Sequence, residues 1–126
     1  MFVIDSDLTM HVTRGDAVQF NVRASIDGIE YIFRADEDII RFKVFAKKNC
    51  TNTVLKKDVV VTENSDVVLV ELNKDDTTIG EIINKPTDYW YEVELNPDTE
   101  PQTIIGYDED GAKVFKLYPE GGVVNE

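Results

Sequence analysis

Apolar and polar residues alternate with a period of two along most of this chain, and this alternation limits the possible folds more than any other feature. Val18, Phe20 and Val22 alternate with Gln19 and Asn21. Successive side chains of a β-strand point to opposite faces, so the pattern predicts a strand with one buried face. The same pattern recurs in seven other segments, at 8–12, 40–46, 53–61, 67–72, 89–95, 102–107 and 112–118. The sequence therefore predicts about eight short strands.

Turn-forming residues separate the predicted strands. Gly15 and Asp16 follow the first alternating segment, Asp27 and Gly28 follow the second, and an Asn-Pro-Asp sequence stands at 96–98. Glycine, asparagine and aspartate tolerate the backbone geometry of tight turns. Evenly spaced strands with such turns predict an all-β fold, an antiparallel sandwich or barrel.

The segment 73–83 departs from this alternation. Asn73 is a residue type that caps helices, acids follow it at 75 and 76, and isoleucines at 79, 82 and 83 have helical spacing. Two threonines and Gly80 weaken the helical pattern. We therefore predict one short helix or helical turn here, inside a long crossover between strands.

Length and composition indicate one domain. A chain of 126 residues can bury a core without disulfides, and the lone Cys50 has no partner within the chain. We predict a single β-sandwich domain over 1–126, with a core at about 7–118 and a flexible C-terminal tail at 119–126. No apolar run is long enough for a signal peptide or a membrane span, so we expect synthesis in the cytoplasm.

The charge is strongly acidic and unevenly distributed. Lysine and arginine number 13 against 25 aspartates and glutamates, a net charge of −12, which disfavours nucleic-acid and membrane-surface binding. Residues 34–57 contain seven basic and three acidic residues, a net of +4, whereas residues 88–126 contain ten acidic residues and two lysines, a net of −8. Segments of opposite sign would allow head-to-tail association of copies or docking on a charged partner, and solvated faces that keep the protein soluble are the favoured alternative.

Trp90 and two groups of charged or aromatic residues are the candidates for such an interaction. The basic group consists of Arg41, Lys43, Lys47 and Lys48. The acidic group lies around one loop and consists of Tyr107, Asp108, Glu109 and Asp110.

The acidic loop at 106–115, with the sequence GYDEDGAKVF, has three possible interpretations. A helix–loop–helix calcium site would place its first and twelfth ligands at Gly106 and Leu117, which carry no carboxylate. A catalytic carboxylate pair needs a cleft, which a loop tip does not provide. We predict a hairpin tip in which Asp110 and Gly111 supply two positive-φ positions between strands at 104–107 and 114–117. A looser calcium site with acids from another loop stays open.

The nucleophile and metal candidates are few. Cys50 follows Lys47 and Lys48, which favour a thiolate, but a catalytic pair requires the only histidine, His11, to lie close in space. One cysteine and one histidine also cannot complete a structural zinc site. We therefore predict no catalytic residue, no cofactor and no metal ligand, and we expect a protein that is not an enzyme.

The aromatic candidates lie in the predicted strand at 89–95. Tyr89, Tyr91, Val93 and Leu95 share the face that we expect to be buried, which leaves Trp90 outward or at an edge. Half-buried packing of Trp90 under the segment 73–83 is the favoured interpretation. An exposed Trp90 would instead stack on a sugar ring or anchor a protein interface.

The order of several motifs resembles that of a known family. The motifs are, in sequence order, Thr-Arg-Gly-Asp at 13–16, an alternating strand at 18–22, Ile-Arg-Phe-Lys-Val at 40–44, Leu-x-x-x-Asp-Thr at 72–77, Tyr-x-Tyr-Glu-Val-Glu-Leu at 89–95, and strands at 103–105 and 113–117. In this order they resemble small β-sandwich proteins of tailed phages and prophages of Gram-positive bacteria, similar to the N-terminal domain of the baseplate upper protein. The resemblance covers about residues 7–118.

This resemblance implies an immunoglobulin-like sandwich that acts as a virion or tail structural or adaptor protein. Its expected partners are other phage structural proteins or copies of itself, with no catalysis, and its expected location is the host cytoplasm and then the virion. The alternative function is a carbohydrate-binding module that uses Trp90 and outward tyrosines, with or without calcium.

Overall fold

The protein consists almost entirely of β-strands, as the alternation predicts. The structure is a computed structural model and describes residues 1–120. Its strands are β1 (Phe2–Ile4), β2 (Met10–Thr13), β3 (Val18–Val22), β4 (Ser25–Ile26), β5 (Ile29–Glu30), β6 (Ile39–Phe45), β7 (Thr53–Val60), β8 (Val68–Leu72), β9 (Thr87–Leu95), β10 (Gln102–Ile105) and β11 (Lys113–Tyr118). One helical turn, α1 (Lys74–Thr77), precedes β9.

A seven-stranded sheet forms one side of the fold. Its strand order is β1-β2-β11-β9-β6-β7, and β10 also pairs with β9. All neighbours are antiparallel except β2 and β11, which are parallel with Phe115 opposite Met10 and Leu117 opposite Val12. The large sheet is therefore mixed, so this one pairing departs from the predicted antiparallel sandwich, while the all-β, sandwich-like fold is confirmed.

A two-stranded sheet of β3 and β8 packs against one face of the large sheet. Val18 lies opposite Leu72 and Val22 opposite Val68, so the apolar faces of the two strands coincide. The buried side chains of this ribbon are Val18, Phe20, Val22, Val68, Val70 and Leu72. Those of the large sheet are Met10, Val12, Ile40, Phe42, Val44, Tyr91, Val93, Leu95, Phe115 and Leu117. Together they form one sandwich-like core.

Phe42 lies at the centre of this core. Its ring centroid is 5.3 Å from that of Phe20 in the small sheet, in an edge-to-face arrangement. It is also 5.7 Å from the ring of Tyr91 and 6.2 Å from that of Phe115. Phe42 therefore joins the two sheets through aromatic contacts as well as through burial of apolar surface.

The predicted helical turn is present but short. The Asn73 side chain accepts a hydrogen bond from the main chain of Asp76, and the Asp76 side chain accepts one from the main chain of Asn73, which is a capping box. The turn ends at Thr77, and Gly80 then has a φ of +65°. Ile82 consequently lies outside the helix and is 68% exposed.

The two ends of the domain differ from the prediction. Phe2 of β1 stacks on Phe20 at 5.9 Å, so the core begins before residue 7. At the other end, the Glu120 carboxylate accepts a hydrogen bond from the buried Arg14 side chain, so residues 119–120 of the predicted tail are attached to the sandwich. The remainder of that predicted tail, 121–126, lies outside the described residues.

The alternation of apolar and polar residues did not indicate β1 or the hairpin of β4 and β5. Leu8 has a φ of +69° and belongs to a turn, so the strand expected to begin there begins at Met10. Within residues 1–120, none of the helical structure has the length and apolarity that a membrane span requires.

Candidate functional site

The two faces of β9 divide as predicted. Tyr91, Val93 and Leu95 are buried in the core, whereas Trp90 and its outward neighbours are only partly buried. Trp90 lies directly opposite Phe45 of β6 on one side and Val114 of β11 on the other. The outer face of the large sheet therefore carries a small apolar area in its middle.

The segment 73–83 does not cover Trp90. A Cβ atom added to Gly80 would lie 3.2 Å from the hydroxyl oxygen of Tyr89, so this segment approaches Tyr89. Tyr89 and Trp90 are adjacent in β9 and point to opposite faces of the sheet. The interpretation of Trp90 as packed under the segment 73–83 is therefore wrong.

The acidic loop leaves the sheet between two strands that lie on the same edge of β9. Leu95 pairs with Gln102 of β10, and Tyr91 pairs with Lys113 of β11, while both residues pair with β6 on their other side. β10 and β11 thus follow one another along β9 and do not pair with each other. The segment 106–112, here called the excursion, connects them, so the predicted hairpin between these strands is wrong.

A tight turn closes the tip of the excursion. The Gly111 N–H donates to the Asp108 carbonyl at 2.9 Å, and the Asp108 N–H donates to the Gly111 carbonyl at 3.2 Å. Glu109 and Asp110 are the central residues, and only Gly111, with a φ of +93°, has positive φ. The prediction of two positive-φ positions therefore holds for Gly111 and fails for Asp110.

Asp108 holds the excursion to the sheet. Its Oδ2 atom accepts a hydrogen bond from the Lys113 ammonium group at 2.7 Å, and its Oδ1 atom accepts one from the Asp110 N–H at 2.9 Å. The bond from Lys113 and then that from Asp110 lower the pKa of the Asp108 carboxyl. This carboxylate, predicted as an interaction residue, is already engaged within the chain.

A depression of about 460 Å³ lies beside the excursion on the outer face of the sheet. Its lining brings together five of the predicted interaction residues, namely Trp90, Tyr107, Glu109, Asp110 and Lys48. Asp88, Gly111, Ala112 and Val114 complete the lining. The strand β9, the strand β11, the excursion and the loop after β6 all contribute to it. We call it the Trp90 depression.

The chemistry of the Trp90 depression combines aromatic rings with carboxylates. Tyr107 is 71% exposed, and Trp90 is partly buried. Neither Glu109 nor Asp110 forms an ion pair with any other described residue. Aromatic faces beside free carboxylates suit a cationic side chain, and the same combination suits a sugar ring with hydroxyl groups. Lys48 is the basic residue of the lining.

Two other predicted interaction residues are used within the chain. Arg41 Nε lies 2.8 Å from Asp58 Oδ1, and Arg41 Nη2 lies 3.0 Å from Asp98 Oδ2. Lys43 Nζ lies 3.0 Å from Glu94 Oε1 and 3.5 Å from Glu92 Oε1. Arg41 and Lys43 are thus largely neutralised, which contradicts their prediction as free cations for a partner's acids.

Lys47 and Lys48 are the exposed part of the predicted basic group. Both lie in the loop that connects β6 to β7, and Lys48 reaches the Trp90 depression while Lys47 is outside its lining. Within that group, only Lys48 therefore joins the aromatic and acidic candidates.

Phe45 is a member of this region that the sequence analysis did not select. It lies on the outer face opposite Trp90, yet only 3% of its surface is exposed. The Lys43 ammonium lies 5.8 Å from its ring centroid. The signal in the sequence was its interruption of the polar face of the strand at 40–46.

A buried carboxylate outside this region was also missed. Asp38 is fully buried, and its two oxygens accept hydrogen bonds from the Tyr31 hydroxyl, the Arg34 main chain and guanidinium, and the Asn96 side-chain amide at 2.7–3.0 Å. Burial alone would raise the pKa of Asp38, but the bonds from Arg34, Asn96 and Tyr31 outweigh it and lower the pKa to about 2. This network joins the turn before β6 to the turn after β9.

Cys50, the candidate nucleophile, and His11, its candidate base, have different neighbours in the structure. His11 Nδ1 lies 2.7 Å from the Tyr118 hydroxyl and His11 Nε2 lies 2.7 Å from Asp5 Oδ2, so its ring nitrogens are both engaged. Burial and the charge of Glu92 raise the pKa of the Cys50 thiol, despite an opposing effect of Lys43. The expectation of a thiolate favoured by neighbouring lysines is therefore wrong.

Within residues 1–120, no cluster of three or more histidine, cysteine, aspartate or glutamate side chains has an arrangement that could hold a metal ion. The looser calcium site left open by the sequence therefore has no counterpart in that part of the chain.

Comparisons with known proteins identify no relative. No protein-family model matches the chain, and neither the curated proteins nor the solved structures contain a significant match.

Proposed function

We propose that this protein is a non-enzymatic structural or adaptor module of a phage or prophage virion, and that it binds another virion protein through the Trp90 depression. The virion setting, the baseplate-type role and the immunoglobulin-like relationship rest on the order of sequence motifs from 13–16 to 113–117. The binding surface rests on one structural observation. Trp90 and Tyr107 are accessible in the same depression as the unpaired Glu109 and Asp110.

The composition of this depression suits the centre of a protein interface. Tryptophan and tyrosine contribute most to interface energy when they are surrounded by residues that exclude water. Val114 and Ala112 supply apolar surface next to Trp90, and the acidic residues of the excursion form the rim. An arginine or lysine of the partner can lie over an aromatic ring and bind a carboxylate in the same contact.

The charge distribution indicates a different protein as the partner, with association of copies as a weaker second choice. Arg41 and Lys43 bind acids of their own chain, so few cations are available to meet the acidic excursion of another copy. Two copies would also each carry a net charge of −12. A partner with a basic surface avoids both difficulties.

The Trp90 depression supports carbohydrate binding as a second candidate function. Sugar-binding sites combine an aromatic ring, which packs on the apolar face of the sugar, with carboxylates that accept hydrogen bonds from its hydroxyl groups. Trp90, Tyr107, Glu109 and Asp110 provide both elements. A glycan array separates the two candidates, because binding to a glycan that is lost in Trp90→Ala would favour the carbohydrate-binding function.

Light scattering tests the proposed function. The purified chain is measured alone and in mixtures with each purified product of the neighbouring genes. We expect a complex with at least one of them, and we expect those genes to include tail or virion components. A monomer that binds none of these products would contradict the assembly function.

A further inference from the structure

The strand β7 forms a long open edge of the large sheet. It pairs with β6 on one side only, and its eight residues make it much longer than the opposite edge strand β1, which has three. Val54 and Val60 of this strand are exposed. Exposed edges that are long and apolar tend to pair with another polypeptide.

The direction of the main-chain groups of β7 follows from the ladder beside it. In an antiparallel ladder, the N–H and C=O of one residue point to the same neighbouring strand, and successive residues alternate. The Asn96 N–H donates to the Ile39 carbonyl at 2.8 Å, so Ile39 and every second residue after it face β9. Phe42 therefore faces β7, where Lys57 is its partner. The main-chain groups of Lys56, Asp58 and Val60 in β7 consequently point away from the sheet.

The strand β8 has a second open edge that faces β7. It pairs only with β3, so its other side makes no ladder within the described residues. A depression of about 230 Å³ lies between β7 and β8 and is lined by residues 59–63, Ser65 and 67–69. A larger depression of about 650 Å³ extends it toward α1. The two share Val59, Val60 and Leu69, and together form what we call the β7–β8 trough.

The trough exists because the small sheet has too few strands to cover the large one. Leu55, Lys57 and Val59 point to the same side as the buried residues of β6, yet they are only partly buried. A further strand in the trough would cover this apolar surface and would also bind the free main-chain groups of β7. Covering the apolar surface and binding the main-chain groups both require an extended segment of about five to seven residues.

The residues around the trough define the side chains of that segment. Leu55 and Val59 lie on the partly buried face of β7, so apolar side chains are needed on the side of the segment that covers them. Glu71 lines one part of the trough and Glu63 the other, and neither forms an ion pair with another described residue. Together with the net charge of −12, these acids favour a basic segment over a second copy of the chain.

We propose that the β7–β8 trough binds an extended segment of another protein by β-augmentation, and that apolar residues alternate with lysine or arginine in this segment. The trough shares no lining residue with the Trp90 depression. The proposal therefore goes beyond the proposed function and is tested separately from it.

A fluorescent, capped heptapeptide in which lysine and valine alternate is a suitable probe. Fluorescence anisotropy measures its affinity for the intact chain, and amide hydrogen exchange locates the contact. We expect binding with slower exchange at Lys56, Asp58 and Val60, because their N–H groups gain acceptors. We also expect at least tenfold weaker binding by Val60→Lys and Leu69→Lys, and a change below twofold for Ile82→Lys, a matched exposed residue outside the trough.

Two control peptides test the chemistry of recognition. N-methylation of alternate nitrogens removes the main-chain donors, and replacement of lysine by glutamate reverses the charge, so each should weaken binding at least tenfold. Absence of binding by the lysine–valine peptide, equal binding by either control, or unchanged exchange at the three amides would overturn the proposal. Protection of those amides by self-association of the free chain would also overturn it. The exchange measurement uses the native sequence, so it tests the proposal even if a variant fails to fold.

Discussion

The ammonium group of Lys113 lies 2.7 Å from Oδ2 of Asp108, and this pair fastens the excursion to the first residue of β11. Lys113 is only 7% exposed, whereas Glu109 and Asp110, farther along the excursion, are exposed. The acidic loop thus contains one carboxylate with a structural role and two that are free to meet a partner.

Asp108→Asn should lower the stability of the fold, because it leaves the mostly buried Lys113 ammonium without its anionic partner. Urea unfolding followed by circular dichroism should show a lower midpoint for this variant. The matched variant Glu109→Gln removes a charge without an ion pair, so its midpoint should equal that of the wild type. Equal midpoints for both variants would contradict the role of Asp108.

Asp38→Asn should destabilise the protein by about 3 kcal/mol at neutral pH, because an amide group cannot accept all four hydrogen bonds that the buried carboxylate accepts. Its lowered pKa also predicts a pH dependence. A lowered carboxyl pKa adds stability above the unfolded-state value near 4, and this stability is lost as the pH falls toward about 2. The difference between wild type and variant in urea unfolding should therefore shrink between about pH 4 and pH 2. A constant difference would contradict the assigned network.

Phe42→Ala should cost about 4 kcal/mol, because it removes the side chain that contacts Phe20, Tyr91 and Phe115 and leaves a cavity between the sheets. Denaturant unfolding of Val60→Ala supplies the control, for which we expect a change below about 0.5 kcal/mol because Val60 is exposed. A cost for Phe42→Ala as small as that of the control would show that the two sheets do not pack through this ring.

Cys50 should react slowly with iodoacetamide, because burial and Glu92 raise the pKa of its thiol and thereby lower the thiolate fraction. The midpoint of its pH–rate profile should lie at a higher pH than that of a short cysteine peptide. Glu92→Gln removes the negative charge and should accelerate the reaction near pH 8. A thiol in the native chain that reacts faster than the peptide at that pH would contradict this environment.

The local sequence predicted much of the fold because each strand carries its own burial pattern. The segment 18–22 matches β3, and the division of β9 into a tyrosine face and a Trp90 face is confirmed. Asn73 caps α1 as its residue type indicates. In each of these cases, the determining interactions lie within one strand or one turn.

The features that were wrong or missed depend on residues far apart in the sequence. The acids that neutralise Arg41 come from β7 and from the turn after β9, so a local count of +4 overstates the free positive charge. The excursion was read as a hairpin because β10 and β11 are close in sequence, yet both pair with β9. Nothing in the alternation indicates the parallel pairing of β2 with β11.

The affinity for a neighbouring-gene product, measured by isothermal titration for wild type, Trp90→Ala and Ile82→Ala, tests the central claim most directly. Trp90 lines the Trp90 depression, while Ile82 is an exposed apolar residue outside it and serves as the matched control. We predict that Trp90→Ala weakens binding at least tenfold, because a central aromatic residue contributes more than about 1.4 kcal/mol. We expect Ile82→Ala to bind like the wild type. Equal affinities for all three proteins would contradict the proposal that the Trp90 depression is the partner-binding surface.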